Sequence, residues 1–278
     1  MSETSDAIIT ATLASLDGAR RAERPAGRTP RPQATPTLQV VWARHLEDVR
    51  AAQRLRHDVF VTEMGARPTP LVGAPAGHDI DLFDDFCEHL IVRTAPAGDE
   101  PGEVVGTYRV LTPSAARRAG SFYSDTEFDL TRLRPLRDRM VELGRSCVHP
   151  DHRTGGVILS LWGALAQFME QNAMETVIGC ASISMRDGGH CAASLWARLR
   201  ETHLAPADRQ VRPRVALPVD DLNQSLDVEA PALIKGYLRM GAKVLGAPAW
   251  DPEFDTADLP LLTRVADIPA RYQRHFMG

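Results

Sequence analysis

Apolar residues along this chain switch repeatedly between the two-residue period of strands and the three-to-four-residue period of helices. Leu38-Gln-Val-Val-Trp42 reads as a strand, and residues 45–64 read as a helix whose face is Leu46, Val49, Ala52, Leu55, Val59 and Phe60. Strands follow at Glu88–Arg93 and Glu103–Leu111, joined by a turn containing Pro96, Gly98 and Gly102. A strand over 139–148, stopped by Pro150, leads through a polar loop ending in two glycines to a helix over 157–171. Beyond it the pattern predicts a strand at Glu175–Ile183, a helix near 190–202, a strand near Arg214–Val219, a helix over Pro231–Met240, and strands at Ala242–Leu245 and Leu261–Val265. Hairpin-spaced strands early and strand-helix alternation later predict one mixed α/β sheet flanked by helices, without internal repeats, rather than two separate domains.

Residues 18–37 break the pattern, being rich in proline and arginine with almost nothing to bury. They predict a disordered arm over 1–37 and a folded domain over 38–278. With 278 residues, 44% of them hydrophobic, the chain has enough apolar surface for a substantial core. A formal charge of −4 and a pI near 6.1 argue against a nucleic-acid binder, whose domain is ordinarily basic. The four cysteines, Cys87, Cys147, Cys180 and Cys191, show no CxxC pair and no zinc spacing, which predicts reduced, mostly buried thiols and no metal. No apolar run reaches the length of a membrane span, and the acidic start Met1-Ser-Glu-Thr-Ser-Asp6 is unlike a secretory signal. The expected compartment is the cytoplasm, with peripheral contact at the inner membrane left open.

The chemistry concentrates in Met140–Gly156. A strand, a glycine loop and a helix start together present backbone N–H groups and the positive end of a helix dipole to an anion such as phosphate. The same connection is common where nothing binds. Here the strand also carries a carboxylate, Glu142, and a cation, Arg145. Four other clusters accompany it: Arg56-His-Asp-Val-Phe60 with Glu63, the acidic loop Asp79–Asp85, Gly106-Thr-Tyr-Arg109, and Phe122-Tyr-Ser-Asp-Thr-Glu-Phe128.

Taken in order, Arg-x-x-Val-Phe, Asp-x-x-Asp before a strand, Gly-x-x-Arg in a strand and Glu-x-x-Arg before a phosphate-type loop resemble the acyl-homoserine-lactone synthases of the GNAT N-acyltransferase superfamily. The fuller resemblance, over roughly residues 40–276, is to bacterial L-ornithine Nα-acyltransferases. It is carried by Leu55–Phe60, Asp81-Leu-Phe-Asp84, Cys87-Glu-His-Leu90, Val105–Arg109, Phe122-Tyr-Ser124, Glu127–Leu130, Glu142–Val148, Leu161-Trp162, Gly179-Cys-Ala-Ser182, Lys235–Arg239, Arg271-Tyr272 and His275-Phe276. The resemblance implies a GNAT, acyl-CoA N-acyltransferase-like fold with a splayed mixed sheet. It further implies transfer of a 3-hydroxyacyl chain from acyl carrier protein to the α-amine of ornithine, giving lyso-ornithine lipid.

The residue roles that follow are expectations. Glu142 is the candidate base, because an attacking amine must lose a proton; by resemblance Arg145 and Arg109 position the substrate or the Glu142 network. Asp81, Asp84, Arg56 and Phe60 are the candidate acceptor site, with the two aspartates facing a cationic amino acid. Backbone at Cys147 and Val148, with Arg153, Gly155 and Gly156, is the candidate seat of the donor's phosphopantetheine; no permanently bound cofactor is implied. Arginines at 117, 118, 132, 134, 137, 139, 145 and 153 offer a face complementary to an acidic carrier protein. Arg145 lies three residues after Glu142, on the opposite face of a regular strand unless a bulge intervenes. One departure from coenzyme-A-dependent relatives is Arg153-Thr-Gly-Gly-Val-Ile158, where the glycines are adjacent and Ile158 replaces a small residue. A reduced phosphate cradle suits the single phosphodiester of a carrier protein. Two alternatives stay open: a coenzyme-A-dependent GNAT enzyme acting on another small amine, and a catalytically silent module that binds acyl carrier protein.

Overall fold

The computed structural model describes residues 37–96 and 102–276; the arm expected over 1–37, apart from Thr37, lies outside them, as does Gly98 of the first predicted turn. In chain order the elements are β1 (Leu38–Trp42), α1 (Leu46–His57), β2 (Glu88–Thr94), β3 (Val104–Leu111), α2 (Pro113–Ala119), α3 (Ser124–Glu127), β4 (Phe128–Asp129), β5 (Met140–Val148), α4 (Gly156–Gln171), β6 (Thr176–Ser184), α5 (His190–Thr202), β7 (Arg212–Pro213), α6 (Ala232–Arg239), β8 (Lys243–Val244), β9 (Ala249–Asp251), β10 (Thr256–Arg264) and α7 (Ala270–Phe276). The main sheet runs β1, β2, β3, β5, β6, β10, β8, with β9 also on β10. Its neighbours are antiparallel except β5 and β6, whose parallel pairing joins Met140–Glu142 to Thr176–Ile178 and stops there. Past Glu142 the two strands part.

Side-chain alternation gives each face of the sheet its own core. Val141 projects with Tyr108 and Val110 toward α4, meeting Val157, Leu161 and Leu165. Met140 and Ile178 project the other way, against Leu111, Phe122 and Phe128. On β6 and β10, Ile183 and Leu259 pack with Leu195 of α5 and Ile234 of α6. The helices α4, α5 and α6 thus cover the Val141 face. On the Glu142 face Leu55 of α1, with Val59 just beyond its end, packs against Cys147.

Three sequence readings differ from the structure. The helix expected over 45–64 is α-helical only to His57; Asp58–Glu63 continues as a π-helix, with the Met64 N–H bonded to the Val59 carbonyl at 3.0 Å. Such widened turns are frequent at functional sites. The strand expected near Arg214–Val219 is a loop, in which only Ala216 bridges a strand residue, Ala249. Pro213 and Pro218 remove donors a ladder would need. In the opposite sense, β10 begins at Thr256 and runs through Pro260. The Leu245 N–H bonds to the Pro260 carbonyl at 2.8 Å, and the Leu245 carbonyl accepts instead from Val211 at 2.9 Å, so no partner is left waiting for the proline's missing N–H.

Candidate active site

Between β3 and β5 the register steps from Arg109 opposite Gly144 to Thr107 opposite Cys147, so β5 holds one residue more than β3 can pair. That bulge places Arg145 in the left-handed region at φ 49°, a conformation costing about 1–3 kcal/mol for a non-glycine residue. Its side chain consequently crosses to the Glu142 face. There its guanidinium lies 3.1 Å from Asp81 and 3.4 Å from Asp79. The same cation stacks between the rings of Tyr123 at 5.1 Å and Phe254 at 4.5 Å. Phe60, carried on the π-helical turns, packs edge-on against Phe254.

Arg145 belongs to a charge-balanced buried cluster. Fully buried Arg56 pairs with Asp79 at 2.8 Å and Asp84 at 2.7 Å. Arg109 pairs with Asp81 at 2.6 Å and Asp84 at 3.2 Å. Burial raises the Asp84 carboxyl, but Arg56 and Arg109 outweigh it and hold the group well below the usual carboxylate range. The His89 ring donates to the Asp84 carbonyl at 3.0 Å, and burial lowers its basicity so that it stays neutral.

The parting of β5 and β6 opens into a cavity of about 450 Å³. Glu142, Arg145, Arg109, Phe60, Cys147, Val148, Arg153 and Gly155 line it, whereas Arg56, Asp81, Asp84 and Gly156 do not. The two aspartates expected to face an acceptor are turned to the three arginines. Glu142 is buried, and its carboxylate accepts from the backbone N–H groups of Tyr123 at 2.6 Å and Ser124 at 2.7 Å and from the Ser124 hydroxyl. Burial raises its proton affinity, and these donors pull the other way.

A second acidic group went unassigned in the sequence. Glu127, Asp251 and Asp258 bring one carboxylate oxygen each within 4.8 Å of one another, an arrangement able to hold a cation. Asp251 and Asp258 line the same cavity, on the side of Tyr123 and Cys180. Burial and repulsion by Asp258 and Asp251 push Glu127 up to about 9, and burial with Asp251 raises Asp258. The available signal was Asp258 itself, a lone acid in the apolar run Ala257-Asp-Leu-Pro-Leu-Leu262.

On the donor side, Gly155 caps α4 in the left-handed conformation at φ 95°. Arg153 makes a two-pronged pair with Glu63 at 2.6 and 2.7 Å and reaches the Val148 carbonyl at 3.0 Å. Burial pushes the Cys147 thiol up to about 12, which leaves negligible thiolate near neutrality. Of the arginines expected to dock a carrier protein, Arg117, Arg137 and Arg139 pair with Asp138, Asp125 and Glu175, and Arg145 is the inward-facing one.

A family model described as an acetyltransferase (GNAT) domain matches residues 55–163. An L-ornithine N(alpha)-acyltransferase of Rhodobacter capsulatus is 39% identical over 241 residues, covering 84% of this chain and 91% of the relative. One of the same name from Agrobacterium fabrum is 35% identical over 257 residues, covering 87% of this chain and 86% of its own. Among solved structures, the acyl-homoserine-lactone synthase LasI aligns with a TM-score of 0.49 at 13% identity, over 88% of this chain and 96% of that one.

Replacing Asp84 by Asn removes the carboxylate shared by Arg56 and Arg109. Loss of one partner from a buried ion cluster destabilises by about 3–5 kcal/mol, so urea unfolding of Asp84→Asn is expected to show a loss of that order. Because the folded Asp84 carboxyl is depressed below its ordinary 3.8, its contribution is present above that pH and lost as pH falls beneath it. The variant is therefore expected to differ from wild type least in acid, which unfolding across a pH series measures.

Proposed function

The chain belongs to the L-ornithine N(alpha)-acyltransferase family and is an acyltransferase of GNAT fold; from that premise we propose that it transfers a 3-hydroxyacyl chain from acyl carrier protein to the α-amine of L-ornithine, forming lyso-ornithine lipid. The observation that carries this reading is the cavity where β5 and β6 part, which places Glu142, Arg145 and the Asp251–Asp258 wall around one space. The acceptor's carboxylate lies toward Arg109 and Arg145. Its side-chain ammonium faces Asp251 and Asp258, with Glu127 beside them held protonated near neutrality until a cation favours its ionisation. This assignment replaces Asp81 and Asp84, which do not line the cavity, whereas Arg109 and Arg145 do.

An alkylamine is mostly protonated near pH 7, since lysine's reference value is about 10.4. Glu142 takes that proton: a carboxylate offers about four lone-pair sites, and three are occupied by Tyr123 and Ser124. That first proton leaves to solvent; as the neutral amine nitrogen then bonds to the thioester carbon, the carbon–sulfur bond breaks, and the second proton, shed by nitrogen on becoming an amide, passes by way of Glu142 to the departing phosphopantetheine thiolate. Backbone groups of β5 beyond Glu142, freed from β6 pairing, polarise the carbonyl. With Arg153 neutralised by Glu63, the phosphate seat is the start of α4 alone, which suits one phosphodiester better than the 3′-phospho-ADP of coenzyme A. No helix among the described residues is long and apolar enough to cross a membrane. A product with one acyl chain and a charged head supports a site of action in the cytoplasm beside the inner membrane.

With ornithine present, purified protein is expected to turn over 3-hydroxyacyl carrier protein much faster than the matching acyl-CoA, with lyso-ornithine lipid identified by mass spectrometry. Equal or better rates with CoA overturn the donor assignment.

Glu142→Gln is expected to fold and to lower turnover by roughly 10²-fold or more. Raising pH supplies free amine and should partly restore it; an unchanged rate and pH profile would exclude a base role.

Since Glu127 is protonated near neutrality, with its value at about 9, an ammonium that needs it ionised binds better as pH rises. The KM for ornithine is expected to fall between pH 7 and 9, by at most about tenfold per pH unit. Norvaline, which lacks the side-chain amine, should show no such fall, and Glu127→Gln should abolish the difference between the two.

A further inference from the structure

Beside the active-site cavity lies a second cavity of about 90 Å³. Val141, Leu165, Met169, Val177 and Met240 give it apolar walls, and Tyr272 and Gln273 of α7 close its far end. Leu143, Trp162 and Tyr237 line both spaces and stand between them. The partition is well defined. Gly236 of α6 lies against the indole so closely that an added Cβ would stand 2.5 Å from it. The Tyr237 ring sits 5.8 Å from that of Trp162, and its hydroxyl bonds to the hydroxyl of Tyr108.

This chamber offers no charged side chain, and an ionic group placed in it would lose its hydration without compensation. It therefore suits neither an amino acid nor a phosphate. A hydrocarbon chain attached to the thioester does match. Leu143 adjoins Glu142 on β5 and points to the opposite face, so a chain leaving the thioester past Leu143 runs away from the carboxylates. Each methylene lodged there is worth about fourfold in affinity.

We propose that the chamber holds the distal methylenes of the donor's acyl chain, that Leu143, Trp162 and Tyr237 form its threshold, and that α7 sets the longest chain accepted. The proposal rests on the acyl-transfer reading above. Ala166 of α4 lines the chamber and does not line the active-site cavity, so Ala166→Phe fills it and Tyr272→Ala opens its floor.

Transfer to ornithine from acyl carrier proteins bearing chains of graded length reads both variants. Ala166→Phe is expected to lose tenfold or more in kcat/KM on the longest wild-type substrates and to shift the optimum to shorter chains, while Tyr272→Ala shifts it to longer ones. A folded Ala166→Phe with an unchanged length profile, or an equal loss at every length, overturns the proposal. Should Ala166→Phe not fold, Tyr272→Ala decides alone. If wild type acylates no ornithine with any donor, the functional reading fails separately, and the chamber is tested by titration with the fluorescent fatty acid cis-parinaric acid. Saturable binding in wild type that Tyr272→Ala or Ala166→Phe alters supports it; no saturable binding, or identical binding in all three proteins, overturns it.

Discussion

With one residue more in β5 than β3 can pair, Arg145 sits in the left-handed region and its guanidinium crosses to the face that carries Glu142. That conformation is unfavourable by itself. It persists because Asp79, Asp81 and the rings of Tyr123 and Phe254 hold the side chain on that face. Asp79 and Asp81 are in turn held by Arg56 and Arg109, so α1, the acidic loop, β3 and β5 are fixed together through one interior cluster. The parting of β5 from β6 begins just before the bulge, and the cavity occupies the resulting gap. Local strain, ion pairing and the opening of the sheet are thus one arrangement seen at three scales.

The opening also sorts chemistry by face. Residues that face the Phe122 and Phe128 core, or lie beside it, include Glu142, Ser124 and Cys180, and they carry polar and ionisable groups. On the opposite face Leu143 of β5, Trp162 of α4 and Tyr237 of α6 belong to largely apolar clusters. A molecule with a charged end and a greasy end, joined at a reacting carbon placed in the gap, can satisfy both faces at once. Neither face alone would distinguish such a molecule from a simple amine or a simple lipid.

Much of the fold was legible because strands such as Leu38–Trp42 and helices such as Gly156–Gln171 follow their apolar periods closely. The misreadings have local causes. Arg214–Val219 has a strand-like run of apolar residues, but Pro213 before it, Pro218 within it and the half-exposed Val215 leave it a loop. The strand expected from Leu261 begins instead at Thr256, because the sequence does not reveal that Leu245 would turn its carbonyl to Val211 and so accommodate Pro260. The π-helical turns after His57 keep the apolar spacing of an ordinary helix within a few residues, so nothing in the pattern marks them. At the site, Glu142, Arg145 and Arg109 were legible from their motifs and do meet the cavity. Asp251 and Asp258 were not, because they lie more than a hundred residues away and reach Glu127 only through the pairing of β6, β9 and β10.

The interior cluster of Arg56, Arg109, Arg145, Asp79, Asp81 and Asp84 sums to zero charge within a region that water scarcely reaches. Any single exchange of an acid or a base for a neutral side chain leaves an odd charge there. Divergence at these positions is consequently constrained to move by compensated pairs, an acid lost together with a base, through an intermediate sequence that folds poorly.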